Sequence, residues 1–467
     1  MFLFLLPSTH SHKHFFRTET INQIRHHSVR PTSMAIPVRF LVYGLSTSCI
    51  TLLYALRLAF HSTIICQLEN STDSFLLDED LKQYTFQSVG FGLAVGLVPL
   101  HFLNFLGTRN VTSIYGIIGI LSALFYPTSY QMGFYASFVT RLLQGAPLGI
   151  LLWLIAKVAT DWTPKTETAI AIAILTSVYQ LAPFVAQISA AEMCQYFGWE
   201  YTYYFLAVLC AISHIAFYFV YTDRVEDNQL ASAEEKSLIL EGKGKGGKQV
   251  SENVPYSQLL LDPTVWATWF ANLAFFSSLL VFLQYGPLYM NQVLGFSVRI
   301  TGYSGGLAHV FCLLAKIVFG KVMDRSQMDM TKRLKAAWTV IEIPSLALLL
   351  ALIMIRDVYI QMACIVIFIT IHGVAIVIIV KTQTYRSAEH NHVLANGNTL
   401  CVVLCLFLQP LIVKFLVQSN TFDEWSRVFG LHAILILTSV IFFTCKVDAT
   451  PAKWTGIQKV DTKIEEP

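Results

Sequence analysis

The sequence predicts an all-α membrane protein whose twelve transmembrane helices form two six-helix bundles. The first observation is composition, because 55% of the 467 residues are hydrophobic, 13% are charged and the mean hydropathy is +0.56. A soluble domain carries about a quarter charged residues and has no core large enough for so many apolar side chains. The second observation is a series of apolar windows of bilayer length, and the third is a long polar stretch that divides them into six and six.

Twelve windows of the sequence have the length and apolarity of a membrane-crossing helix. We interpret them as helices because only helices and closed barrels satisfy the backbone polar groups in lipid. They are residues 38–60, 84–104, 111–129, 132–157, 167–190, 202–221, 264–289, 301–321, 336–355, 359–380, 394–417 and 428–446. The predicted organisation is a disordered cytosolic N-terminus, a first bundle, a cytosolic linker, a second bundle and a cytosolic tail, at residues 1–37, 38–222, 223–263, 264–446 and 447–467.

The first and fourth windows each contain an arginine at membrane depth. Arg57 lies roughly two thirds of the way through the first window, and Arg141 lies within an apolar stretch, Met132 to Val158, that has no acidic residue. A guanidinium at this depth is costly and usually faces a protein interior or a watery cavity on a substrate or ion path. Snorkelling toward the outer interface is an alternative for Arg57 and is harder for Arg141. Together the two arginines predict a clamp for a carboxylate or phosphate group.

Small residues near Arg141 predict close packing of the second and fourth helices. Gly92 and Gly96 have small-xxx-small spacing, and so do Gly145 and Gly149. Such pairs allow two helix backbones to approach each other. We interpret these glycines as scaffold.

The linker contains the run GKGKGGK at residues 242–248. A phosphate-binding loop would need a hydroxyl residue where Gln249 stands, and it would need a preceding strand. The run therefore indicates a flexible basic linker, and no segment indicates a nucleotide-driven pump.

The second half contains Glu342, the only acidic residue deep inside a predicted helix. It is a candidate for ion coupling or for pairing with a buried cation. His101 of the second window is another coupling candidate, because histidine titrates in the physiological range. The remaining intramembrane ionisable residues have packing or interfacial roles as the commoner explanation: His214, His309, Lys316, His372, Lys414 and His432.

The placement of lysine and arginine in the short loops predicts the orientation. The side that carries both termini collects most of these residues, so both termini are predicted to be cytosolic. The first loop on the other side is acidic and contains Asn70-Ser71-Thr72, which predicts glycosylation of Asn70. A disulfide between Cys66 and Cys194 is open, since both lie near that side, although sequence alone does not bring them together. The cysteines show no metal-ligand spacing, and no metal site is predicted.

Several short motifs resemble those of one transporter family. They are Tyr54-Ala-Leu-Arg57, Arg141-Leu-Leu-Gln144-Gly145 with Gly149, Asp161-Trp162-Thr-Pro164, Gly198-Trp199, and Gly286-Pro287-Leu-Tyr289. In this order they resemble the anion/cation symporters of the major facilitator superfamily, which include sialin, vesicular glutamate transporters and sodium-phosphate cotransporters. The resemblance spans residues 38–446 and implies a two-bundle transporter that works by alternating access.

The resemblance also implies roles for individual residues. Arg57 and Arg141 would contact an organic anion. Our own hypothesis adds Tyr54 and Gln144 as supporting hydrogen-bond donors. Residues at the end of the eighth window resemble the superfamily's loop motif and imply a part in gating: Gly320, Asp324 and Arg325.

Three departures from the family pattern matter. Leu148 stands where lysosomal and vesicular members have a glutamate implicated in proton coupling, and Phe275 stands where glutamate transporters have an arginine. Glutamate is therefore disfavoured as the substrate. The first-half loop motif is also degenerate, with Leu100, His101 and Asn104 in place of the usual residues.

The leading hypothesis is a monomeric transporter of small organic anions, with phosphate as a further substrate candidate and protons or sodium as the coupling ion. The alternative is a transporter-like protein that senses ligand or scaffolds partners without transporting. No constellation for catalysis and no excess charge for nucleic-acid binding is present, so no enzyme, cofactor or nucleic-acid partner is predicted. The lipid bilayer is the expected surrounding, and plasma, lysosomal and vesicle membranes all stay open. Met34 is an alternative translation start.

Overall fold

The computed structural model describes residues 37–69, 74–241, 254–387 and 390–455, and no strand occurs in these ranges. Met34, Asn70 and the linker run 242–248 lie outside them, so the predictions made there are untouched by the structure.

Twelve long helices make up the membrane part, which confirms the predicted fold class. Eleven of these helices are long and apolar enough to cross a bilayer. The remaining one, α2, has 25 residues and packs against both α4 and α11. The helices are α1 Val38–Glu69, α2 Glu79–Leu103, α3 Thr108–Gln131, α4 Phe134–Asp161, α5 Ile170–Tyr196, α6 Trp199–Val220, α7 Pro263–Gln292, α8 Val298–Arg325, α9 Met330–Met354, α10 Val358–Ser387, α11 Asn391–Leu416 and α12 Phe422–Lys446.

Side chains that cap the first turn mark where several helices begin. The Asp262 carboxylate accepts a hydrogen bond from the Thr264 N–H before α7, and Thr421 and Glu424 form a reciprocal capping box at α12. Such caps satisfy N–H groups that have no partner inside the helix. Gly198, with φ of 122°, turns the chain from α5 into α6 through a conformation that L side chains rarely adopt.

Three helices depart from regular geometry near their middles. α4 contains a 3₁₀ turn at Ala146–Gly149, α7 contains a π-helical turn at Val281–Tyr285, and α10 is interrupted at Gly373 and Val374. Departures of this kind often mark hinges or functional sites. Arg141 of the candidate site described below lies less than two turns before the 3₁₀ turn of α4.

Glycines bring α2 and α4 into backbone contact, as their spacing predicts. A Cβ added at Gly92 would collide with the Leu142 carbonyl oxygen, and one at Gly145 would collide with the Val89 carbonyl oxygen. Tyr115 of α3 donates a hydrogen bond to the buried carbonyl oxygen of Gly96, at 2.5 Å. This packing fixes the helix that carries Arg141.

The two ends of the molecule are named here by what they carry. The linker face is where α1 begins and α12 ends, and the distal face is the opposite end.

Two ion pairs join the bundles in the distal half. Lys414 of α11 lies 2.9 Å from Asp80 of α2, and Arg299 of α8 lies 3.1 Å from Glu192 of α5. The bundles are thus fastened together at the distal face.

A disulfide joins Cys66, near the end of α1, to Cys194, near the end of α5, with a Cα–Cα distance of 6.3 Å. The sequence left this pairing open because the two cysteines are 128 positions apart. The structure brings them together because α1 and α5 pack side by side and both end at the distal face.

Ion pairs connect neighbouring segments of the chain at the linker face. Arg39 at the start of α1 binds Glu167 through two nitrogens, at 2.8 and 3.0 Å, and Glu235 of the linker helix Ala233–Leu240 accepts from the Arg39 N–H at 2.9 Å. The linker therefore caps the first membrane helix.

In the second bundle, Arg386 binds Asp262 at 2.8 Å and Asp448 at 3.2 Å. Burial opposes ionisation of Asp448, but its hydrogen bonds from Thr450 and the charge of Arg386 outweigh burial and lower its pKa.

Candidate functional site

Arg57 and Arg141 both point into the protein interior. Their side chains are 1% and 0% exposed, so neither faces the surface that lipid would cover. The snorkelling alternative for Arg57 is therefore excluded in this conformation. α1 and α4 pack together and place the two residues at the same level of the first bundle, where the Nη1 of Arg141 donates to the backbone oxygen of Arg57 at 3.1 Å.

Arg141 is held by neighbours that leave part of its guanidinium free. Its Nη1 also donates to the Gln144 Oε1 at 2.6 Å, and its guanidinium carbon lies 4.3 Å from the centre of the Phe60 ring. The Gln144 amide nitrogen in turn donates to the Ser122 carbonyl oxygen at 3.4 Å. Gln144 thus orients Arg141 in this conformation, rather than presenting a donor to a solute as predicted.

Four nitrogens of these two arginines are buried without a hydrogen-bond partner among the described residues. They are the Nε and Nη2 atoms of Arg57 and of Arg141, and neither guanidinium forms an ion pair with a carboxylate in the part of the chain that the structure describes. Burying a charge without a partner costs several kcal/mol or more. An anion placed against these nitrogens would supply the missing partners, which is the chemistry that the arrangement favours.

His61 is a candidate site residue that the sequence analysis missed. It lies one helical turn beyond Arg57 on α1, is 1% exposed, and has no partner for either ring nitrogen. Its ring stacks on Phe86 of α2, with centroids 5.2 Å apart. The signal available in the sequence was the spacing of four residues from Arg57, which places both side chains on one helix face.

Tyr54 lies on the same helix as Arg57 and is half-buried. The Arg57 guanidinium carbon lies 5.9 Å from the centre of its ring, and Tyr54 meets Tyr179 of α5 edge to face at 6.4 Å. The structure therefore brings together all four residues of the predicted anion site.

A group of three side chains closes the distal side of this site, and we name Gln83, Phe86 and Tyr285 the distal gate. Phe86 of α2 stacks on Tyr285 of α7, with centroids 4.6 Å apart, and the Tyr285 hydroxyl donates to the Gln83 Oε1 at 2.6 Å. Tyr285 lies in the π-helical turn of α7 and belongs to the other bundle. Each gate contact therefore crosses between bundles and must break if the bundles part at the distal face.

Beyond the gate lies a cleft of about 10 Å³, which is lined by Glu79, Lys82, Gln83, Leu288, Val413, Val417, Asn420 and Trp425. This volume holds about one water molecule. The gate contacts and this small cleft therefore leave little open space on the distal side of the arginines among the described residues.

The predicted coupling and gating residues lie elsewhere. Glu342 is buried in the second bundle, where its Oε2 lies 3.1 Å from the His372 Nδ1. Gly320 and Arg325 lie on the last turns of α8, with Gly320 buried and Arg325 exposed at the linker face. The side chains of His101 and Asp324 are not among those that the structure describes. Phe275 packs on His372, with ring centroids 5.1 Å apart.

Comparison with known proteins agrees with the family that the motifs predict. The family model described as Major Facilitator Superfamily matches residues 38–401. Sialin of Ovis aries is 22% identical over 403 residues, which cover 85% of this chain and 81% of sialin. Sodium-dependent phosphate transport protein 1 of Homo sapiens is 24% identical over 306 residues, which cover 60% of this chain and 65% of that protein.

Solved structures show the same fold. A bacterial homologue of the human lysosomal transporter Spinster, in an inward-facing and unoccupied conformation, has a TM-score of 0.65 at 13% identity and covers 88% of this chain and 97% of its own. A D-xylose-proton symporter has a TM-score of 0.66 at 13% identity, with coverages of 88% and 98%. This chain belongs to the Major Facilitator Superfamily and is a multi-pass membrane transporter rather than an enzyme.

Proposed function

We propose that the protein carries small organic anions across its membrane by alternating access, with inorganic phosphate as the second candidate substrate. One observation carries the proposal. Two permanently charged guanidiniums are buried side by side with unpartnered nitrogens, and no carboxylate of the described residues neutralises them. Arg57 and Arg141 would hold the anionic group, with His61 and Tyr54 beside it.

The chemistry of the site favours a carboxylate or phosphate over a neutral solute. Guanidinium binds both groups through two parallel hydrogen bonds, and charge-assisted bonds are roughly twice as strong as neutral ones. A neutral analogue would leave desolvated arginine nitrogens unpaired, which costs about 1–3 kcal/mol or more for each group. Phe60 and Phe86 are aromatic walls of the site, which favours a small substrate.

The distal gate supports alternating access. In this conformation the gate contacts and the cross-bundle ion pairs close one side of the site. Transport requires a second conformation in which these contacts are broken and the opposite side is closed. Each chain contains both bundles, so a monomer suffices as the transporting unit. Protons or sodium are the proposed coupling ions.

The orientation that we propose places the linker face and both termini in the cytosol. The lysine and arginine distribution supports it. The Cys66–Cys194 disulfide at the distal face also supports it, because disulfides persist in oxidising compartments rather than in the cytosol. Plasma, lysosomal and vesicle membranes all satisfy this orientation, and imaging of the tagged protein with organelle markers distinguishes them.

The test is uptake by purified protein in proteoliposomes, with a panel of radiolabelled organic anions and phosphate under imposed proton or sodium gradients. Arg141→Ala is expected to lower uptake by about tenfold or more, since a hydrogen bond to a charged group contributes about 1.5–3 kcal/mol and each 1.4 kcal/mol is tenfold. Arg356→Ala is the matched control, because this arginine is 73% exposed and pairs with exposed Asp423.

Two outcomes would overturn the proposal. Undiminished anion uptake by Arg141→Ala would show that transport does not depend on the arginine clamp. Saturable binding of an anion by the unmodified protein, with no flux under any gradient, would favour the alternative of a sensor or scaffold that retains the site.

A further inference from the structure

A second buried polar centre lies in the other bundle, between Glu342 and His372. Glu342 is near the middle of α9, and His372 ends the first part of α10, directly before the interruption at Gly373 and Val374. The side chains are 1% and 0% exposed, and the His372 Nδ1 lies 3.1 Å from the Glu342 Oε2. Among the residues that the structure describes, Glu342 has no lysine or arginine as an ion-pair partner.

The contacts of His372 fix how many protons this pair holds. Its Nε2 lies 3.2 Å from the backbone oxygen of Phe275, which only accepts hydrogen bonds, so Nε2 carries a hydrogen. One further proton then lies between Nδ1 and Oε2. It resides on the imidazole, which gives an ion pair, or on the carboxyl, which gives two neutral groups. Both arrangements have no net charge and share one labile proton.

Loss of that proton would be unfavourable in this conformation. It would leave a carboxylate facing the lone pair of Nδ1, with a net charge of −1 among aromatic rings: Phe368 stacks on His372 at 4.7 Å, and Phe275 lies at 5.1 Å. The second carboxyl oxygen of Glu342, Oε1, already has no partner. An isolated buried carboxylate is costly, so we expect release of this proton to accompany a rearrangement of the surrounding helices.

Other ionisable side chains lie on the helices packed around the pair. His432 of α12 interacts electrostatically with His372, but its own ring nitrogens are bonded to the Val428 carbonyl oxygen and to Gln409 and Ser277. Cys312 of α8 packs against Gly373. The other ionisable side chains at the interior of the helices packed around the pair are His309 and Lys316 on α8, Cys364 and Lys381 on α10, Tyr285 and Tyr289 on α7, and Cys401 and Cys405 on α11.

The pair is placed where its protonation affects helix positions. Through its two ring nitrogens, His372 of α10 bonds to α9 and to the backbone of α7. α7 also carries Tyr285 of the distal gate. The proton shared with Glu342 therefore joins α9 to α10, and the hydrogen on Nε2 joins α10 to α7, in the conformation in which the distal face is closed.

We propose that the Glu342–His372 pair is the proton-binding site that couples proton movement to anion movement. The proposal rests on the anion transport proposed above and deepens it. In each cycle, one proton enters the pair from one side of the membrane and leaves to water on the other side. A monovalent anion that moves with one proton makes the cycle electroneutral, so its accumulation follows the pH gradient and not the membrane potential.

The test compares two kinds of transport in proteoliposomes. Glu342→Gln keeps an oxygen and a similar shape but cannot release a proton, so it is expected to exchange anion between the two sides while losing accumulation driven by a pH gradient. His372→Gln is likewise expected to keep anion exchange and to lose accumulation driven by the pH gradient. His432→Gln is the matched control, because it alters a buried histidine of the same bundle and is expected to retain accumulation driven by the pH gradient.

The outcomes separate this proposal from the proposed function. Accumulation by Glu342→Gln that equals the unmodified protein under the same pH gradient would overturn the coupling site, and so would accumulation driven by sodium alone. Loss of both exchange and accumulation in Arg141→Ala tests the anion site independently. If no anion is transported at all, infrared difference spectra of the purified protein between acidic and alkaline pH still decide the proton site: a carboxyl band that is absent in Glu342→Gln supports it, and identical spectra refute it.

Discussion

Tyr285→Phe tests whether the distal gate sets the balance between conformations. The substitution keeps the ring that stacks on Phe86 and removes only the hydroxyl that donates to Gln83. Gln83 is 2% exposed, so in the closed conformation its Oε1 would lose its partner without gaining water. In a distal-open conformation water would reach the same oxygen. The variant therefore destabilises the closed state alone.

The size of the effect follows from the cost of an unpaired buried acceptor, which is about 1–3 kcal/mol. A difference of this size changes the ratio of open to closed molecules by about 5- to 150-fold toward the open state. Gln83→Leu combined with Tyr285→Phe removes both partners and leaves no unpaired group. The double variant is therefore expected to lie nearer the unmodified protein than Tyr285→Phe does.

The assay is labelling by a membrane-impermeant thiol reagent applied from the distal side. The target is a cysteine introduced at Leu288, which lines the small cleft beyond the gate. Its labelling rate follows the fraction of distal-open molecules, so Tyr285→Phe is expected to raise the rate by about fivefold or more. An unchanged rate in Tyr285→Phe, or an equal rise in the double variant, would refute the reasoning.

Three further predictions concern the scaffold. Replacing Cys66 or Cys194 by Ser is expected to cost about 2–5 kcal/mol of stability, since the bond closes a long loop, and thermal unfolding with and without reductant measures this cost. Gly92→Val is expected to abolish folded protein because its side chain meets the Leu142 backbone, whereas Gly44→Ala, with open space around it, is expected to fold, and size-exclusion profiles compare the two. Arg386→Ala is expected to destabilise the second bundle by leaving Asp262, which is 5% exposed, without its cation, and Lys332→Ala, at an exposed position of α9, is the thermal-shift control.

The fold was predictable from the sequence because membrane helices are recognised from length and apolarity alone. The burial of Arg57 and Arg141 inside the protein was predictable too, because a cation within an apolar membrane stretch rarely faces lipid. The hydrogen-bond partners of the site residues were not predictable from the sequence. Gln144 was expected to contact the substrate, yet it accepts from Arg141, because the direction of an amide depends on the helix that faces it. Gln83 and Tyr285 meet only because α2 and α7 adjoin in one conformation of the transporter.

The distribution of charge between the bundles links the two proposals. In the described structure, the first bundle holds Arg57 and Arg141 with no buried carboxylate beside them, and Leu148, seven residues after Arg141 on α4, provides none. A proton-carrying carboxylate placed there would neutralise an arginine and compete with the anion for it. The second bundle holds Glu342 beside a histidine instead of an arginine, so the pair has no net charge while it holds the shared proton. If both proposals hold, the separation of the two sites would let the anion and the proton bind without competing, and a movement of α7 against α1 and α2 would connect them.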